Sequence, residues 1–161
     1  MKRLIAINQL LTGFFVVSAV LSAIVFNSAT RGYIVAVSLM LFAIGIATFL
    51  LGYFAAVQRS REEEISVTQL FFLTGDVAPR DVKWKMLGCF YTQAVVGLAV
   101  ALARPTTDGK SGSVLAFCVM VPMLGIGMNG LWVSRWGTFG PRLLRSQIEV
   151  EPGEDSDSGN R

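Results

Sequence analysis

Marking the charged positions along the chain leaves four long stretches that have none. These are 4–30 and 32–58, of 27 residues each, 86–103, of 18, and 111–134, of 24. A helix needs about 20 residues to cross roughly 30 Å of hydrocarbon, so each stretch is long enough, the third narrowly. A buried helix of a water-soluble domain shows a polar stripe every few residues. Here no face of any stretch carries a charge. The pattern predicts an all-α, integral membrane four-helix bundle with helices over about 4–28, 33–57, 86–103 and 114–134.

A fifth uncharged stretch, 65–75, has 11 residues and is too short to span. Ser60 and Glu63 have capping-box spacing and Gly75 can end a helix, which predicts a short cytoplasmic interfacial helix over about 61–73. Its apolar residues include Leu70, Phe71 and Phe72, with the phenylalanines either dipped into lipid or packed under the bundle. Positions 149–161 hold Glu149, Glu151, Glu154, Asp155 and Asp157 against Arg161, which reads as a disordered acidic tail. An acidic peptide that docks on the protein is the sharper alternative. The chain thus divides into a single membrane domain, 1–148, and the tail.

Composition agrees. Apolar and aromatic residues make up 53% and charged residues 16%, below the quarter usual in soluble domains, which excludes a disordered chain and an ordinary soluble enzyme. Orientation follows from the basic residues. Eleven (Lys2, Arg3, Arg59, Arg61, Arg80, Lys83, Lys85, Arg135, Arg142, Arg145 and Arg161) fall on one side of the predicted spans, and three (Arg31, Arg104 and Lys110) on the other. The excess places both termini in the cytoplasm. Trp84, Trp132 and Trp136 then fall at the cytoplasmic interface as belt anchors. The first stretch exceeds the usual signal-peptide core and reads as a retained anchor.

The chemistry-bearing residues are few. There is no histidine, which removes the usual general base, the histidine triads and the HExxH zinc motif. Cys89 and Cys118 lie near opposite ends of their helices, out of disulfide reach, and read as packing residues. Gly125, Gly127 and Gly130 match the dinucleotide fingerprint formally. That chemistry needs a strand-to-helix turn, whereas these glycines lie inside an uncharged span behind Pro122 and read as a close-packed, kinked helix. Arg104-Pro105 reads as a helix stop with a snorkelling arginine. Arg80, Lys83, Lys85 and Trp84 form a mixed basic and aromatic cluster suited to lipid headgroups. Asp76 and Asp81 beside them offer the alternative of surface catalysis. Within the spans, Gln93 and Asn129 reach similar depths measured from the ends of the uncharged stretches, and each has a glycine four residues away, Gly97 and Gly125. The expectation is an interhelical hydrogen bond between the two amides.

The segments Thr74-Gly-Asp-Val-Ala-Pro-Arg80, Arg104-Pro105 and Gly130-Leu-Trp132 with Trp136-Gly-Thr-Phe-Gly-Pro-Arg142 together resemble a group of small four-span membrane proteins of high-GC Gram-positive bacteria. The resemblance covers roughly 50–142. It implies a bacterial cytoplasmic membrane and carries over no functional residue.

These readings point to a non-enzymatic multi-pass protein without a cofactor, an accessory, assembly or scaffolding subunit of a membrane complex. Its expected partners are the lipid bilayer and another membrane protein or itself, with no nucleic acid. Small residues such as Ser18, Ser22, Ala43 and Ala47 are the expected points of close helix contact. An oligomeric pore or carrier is the first alternative, and a membrane-surface enzyme acting on lipid the second.

Overall fold

A computed structural model describes residues 1–107 and 110–141. The acidic segment 149–161 lies outside the described residues, as do Arg142, Arg145 and Arg161. Four helices are long and apolar enough to cross a membrane: Lys2–Ile24, Ser28–Arg59, Arg80–Ala103 and Val114–Trp136. The first three are continuous and are here α1, α2 and α4. The fourth begins as a 3-10 helix, Val114–Met120, and becomes α-helical as α5, Pro122–Trp136. A short α3, Val67–Phe72, lies between α2 and α4. Two-residue strands complete the fold. β1 (Glu63–Glu64) pairs antiparallel with β4 (Gly140–Pro141), and β2 (Thr106–Thr107) with β3 (Lys110–Ser111).

The helix ends depart from the sequence expectation for local reasons. Asn27 accepts the Thr30 amide at 2.9 Å while its own amide donates to the Thr30 hydroxyl at 3.1 Å, a reciprocal cap that starts α2 at Ser28 rather than 33. α4 starts at Arg80, not 86. Pro79 holds Ala78 out of the helical region, and Asp81 complements the dipole in the first turn. In the fourth span Pro122 has no amide hydrogen for the Cys118 carbonyl. Val121 donates to that carbonyl at 3.2 Å and Leu124 to Val121 at 2.8 Å, both three-residue bonds, and the span changes helix type there.

The interfacial helix is shorter than 61–73, and its caps are different ones. Arg59 holds Glu63 at 2.7 Å and Glu63–Glu64 are drawn into β1, so the helix cannot begin at Ser60. Ser66 and Gln69 supply the capping box instead. The end is Leu73, in the left-handed region at φ 51°, a conformation that costs a leucine about 1 kcal/mol. Burial of the Leu73 side chain opposes that cost.

α1 is polar on its buried face and apolar on its exposed one. Of the seven buried residues of α1, four are polar: Asn8, Thr12, Ser18 and Ser22. Leu10, Val17, Leu21 and Ile24 are exposed on its other face. Water would impose the reverse arrangement; a lipid exterior permits this one.

α2 lies along α5 and α1 along α4. The α2–α5 seam is built on glycine. A methyl on Gly45 would lie 2.6 Å from the Leu124 nitrogen, and one on Gly52 would lie 2.6 Å from the Gly130 carbonyl carbon. A methyl on Gly127 would meet the Gly45 carbonyl oxygen. Ser18 and Ser22 are buried as expected, but Ala43 and Ala47 are exposed. The close contacts of α2 run along its glycines, where backbone meets backbone, and the alanines face outward. The Gly125–Gly130 run sits in a helix interior, as expected of a packing motif.

Candidate functional site: two buried amides and two grooves on α4

Gln93 is fully buried on α4. Its Oε1 accepts the Gly125 amide hydrogen at 3.0 Å and its Nε2 donates to the Thr12 hydroxyl at 2.7 Å. The backbone amide can only donate, which fixes the orientation of the Gln93 side chain. Gly125 lies in the first turn of α5, just past the 3-10-to-α junction, and gives its hydrogen to Gln93. One side chain therefore joins α1, α4 and α5 at a break in the helical ladder.

Asn129 is fully buried too, on α5. Its Nδ2 donates to the Phe71 carbonyl oxygen at 3.0 Å. That carbonyl belongs to the last turn of α3, where backbone acceptors have no intrahelical partner. The Phe71 ring stacks on Phe49 at 4.5 Å and covers Gly130. Of the two environments expected for the phenylalanines, Phe71 takes the place under the bundle. Phe72 is exposed and meets the Phe90 ring edge-on at 6.1 Å.

Gln93 and Asn129 are thus not bonded to each other, contrary to expectation. Because α4 begins at Arg80, Gln93 lies about 20 Å along it, level with Gly125. Asn129 sits one turn, about 6 Å, further along α5. Each amide goes instead to a backbone group stranded at a helix end, where the unpaired polar group in an apolar interior is costliest. The paired glycines serve different contacts. Gly125 is the donor to Gln93, whereas a methyl on Gly97 would lie 2.5 Å from the Cys118 carbonyl oxygen of the 3-10 helix.

Sequence reasoning missed Asn8; it is fully buried, with its Nδ2 3.7 Å from the Met86 sulfur. It also missed Arg59. This guanidinium donates to the Ser134 carbonyl at 3.0 Å and the Gly137 carbonyl at 3.1 Å, pairs with Glu63 and lies 5.1 Å from the Phe139 ring centre. It closes the end of α5 and holds the following segment against α2. The four-residue spacing of Arg59 and Glu63 was the signal available. Beside this clamp Thr138 donates its amide to Val77 at 3.1 Å and its hydroxyl to Asp76 at 3.0 Å. The segments around Asp76 and Thr138, two of those that carry the resemblance, therefore meet in space.

The tryptophans separate. Trp84 is 79% exposed and Trp136 38%, but Trp132 is 1% exposed. Trp132 is a core residue rather than a belt anchor, because the Leu124–Met128–Trp132 stripe of α5 faces the bundle. At the opposite end Arg104 caps α4 and lies 5.4 Å from the Phe26 ring centre, with Arg31 4.4 Å from the same ring.

The predicted headgroup cluster divides between two grooves on either side of Trp84. Arg80, Lys83, Trp84, Leu87, Gly88 and Tyr91 line one, of about 600 Å³. Lys85 lies in the other, between α1 and α4, of about 530 Å³, with Gln9, Gly13, Gly88 and Thr92. Gly13 and Gly88 each have open space where a side chain would be. Gln9 and Thr92 are exposed there, within helices of spanning length. The chain matches no family model, no curated protein and no solved structure.

Proposed function

We propose that this chain is a non-enzymatic multi-pass protein of the bacterial cytoplasmic membrane, with both ends in the cytoplasm. It acts as an accessory or assembly subunit by taking a partner's transmembrane helix into the α1–α4 groove. One observation carries this reading: polar Gln9 and Thr92 are exposed inside the spans, next to two glycines with nothing over them. Lipid tails cannot hydrogen-bond these polar groups. A second helix can, and the glycines let its backbone come close. Both are what helix association in a membrane uses, since lipid tails provide no hydrophobic drive between helices.

Affinity capture from mild detergent tests the reading. The expected result is a stoichiometric heterologous membrane protein that is lost from Gly13→Leu and Gly88→Leu variants whose melting is unchanged. A pure homo-oligomer would favour the oligomeric pore, and capture that survives both leucines would refute the groove. Reporter fusions after Gln58 and at the C-terminus should be active in the cytoplasm, and fusions within 106–112 outside it. An outward C-terminus would overturn the orientation.

A further inference from the structure

We infer that the second groove, along the first three turns of α4, is a binding site for an anionic phospholipid. This rests on the membrane-spanning reading of α4 but not on the docking of a partner helix. Arg80, Lys83, Trp84, Leu87, Gly88 and Tyr91 fall at offsets of 0, 3, 4, 7, 8 and 11 residues, one continuous stripe of an α-helix. The stripe is graded like a lipid. Two cations stand at the helix start, an exposed tryptophan follows, and about 16 Å below Arg80 the groove ends at Tyr91. Gly88 leaves open space in the middle, where a side chain would otherwise fill the path of an acyl chain.

The cations are placed for a ligand rather than for the fold. Arg80 occupies the first position of α4, where the helix dipole disfavours positive charge, and it makes no ion pair with a described residue. Lys83 donates to the Gly75 carbonyl, which holds its ammonium beside Arg80 without neutralising it. Lys85, by contrast, lies 4.0 Å from Asp81 and faces the other groove. Two uncompensated charges over an apolar, aromatic-walled groove match a phosphodiester headgroup with a net negative charge. A zwitterionic headgroup brings its own cation and gains little there.

Tryptophan quenching in vesicles tests the site on the full-length protein. In phosphatidylcholine vesicles containing a minor fraction of phosphatidylglycerol, the bromine is placed on the acyl chains of one lipid or the other. Brominated phosphatidylglycerol should quench far beyond its mole fraction, and Trp84→Phe should remove that excess. Each basic residue near the surface is worth about a fivefold preference, so Arg80→Gln should lower the preference about fivefold and Arg80→Gln with Lys83→Gln about twenty-five-fold. Arg80→Gln breaks no hydrogen bond or ion pair with a described residue and relieves the dipole, so a folding defect will not obscure the result. Quenching in proportion to mole fraction, or a preference unchanged by Arg80→Gln, would overturn the assignment. Displacement by inorganic phosphate would overturn the lipid in favour of a free anion. Excess quenching that emerges only when 149–161 is deleted would show the acidic segment as the native occupant, and would also overturn it. Gly13 lines only the α1–α4 groove and Arg80 only the lipid groove, so capture read on Gly13→Leu and quenching read on Arg80→Gln let either proposal fail without the other.

Discussion

Replacing Gln93 by leucine isolates what a buried amide contributes at a helix break. Leucine fills nearly the same volume, so the change removes two hydrogen bonds without opening a large cavity. The bond to Thr12, at 2.7 Å, is a side-chain contact between helices, a class worth about 0.6 and at most about 1.7 kcal/mol in membrane proteins. The bond from Gly125 differs, because its loss strands a buried backbone hydrogen at a cost of about 1–3 kcal/mol. Gln93→Leu should therefore destabilise by about 2–4 kcal/mol. Thr12→Val, which leaves Gly125 satisfied, should cost about 0.6–1.7 kcal/mol. Reversible unfolding in mixed micelles, titrated with sodium dodecyl sulfate, measures both. The double variant should cost little more than Gln93→Leu alone, since the Thr12 bond has already gone. A Gln93→Leu variant no less stable than Thr12→Val would refute the argument, because Gly125 would then have another acceptor.

The same assay separates the glycines. Gly52→Ala forces backbone from backbone and should cost about 1–3 kcal/mol, whereas Gly13→Ala should be neutral or stabilising by up to about 1 kcal/mol, having nothing to strike. Arg59→Ala frees two carbonyls at the end of α5 and should lower stability by about 2 kcal/mol; Arg59→Lys should restore only part of it, since one ammonium cannot span both acceptors. Limited proteolysis should then cut around 137–141 faster in both. Asn129→Leu should leave the Phe71 carbonyl unpaired and loosen α3, seen as faster amide exchange over 67–73 with little change in α1.

What the sequence determined by itself is what the solvent imposes locally. A segment in hydrocarbon must satisfy its backbone within itself and cannot carry free charge, so the four spans could be read from charge-free length alone. The grouping of Arg80, Lys83 and Trp84 was legible for a similar reason, since helical spacing places them on one stripe and turns Lys85 about 140° away. The fate of Gln93, Asn129 and Trp132 was not legible. Their surroundings depend on the depth and rotation of each helix, which follow from the start of α4 at Arg80 together with a non-local fact, α2 and α5 meeting along Gly45, Gly52 and Gly127. The backbone groups that Gln93 and Asn129 satisfy are stranded because Pro122 interrupts the fourth span and α3 stops at Leu73. Gln93 and Asn129 each go to a stranded backbone group, and only the tertiary structure decides which groups are stranded and within reach.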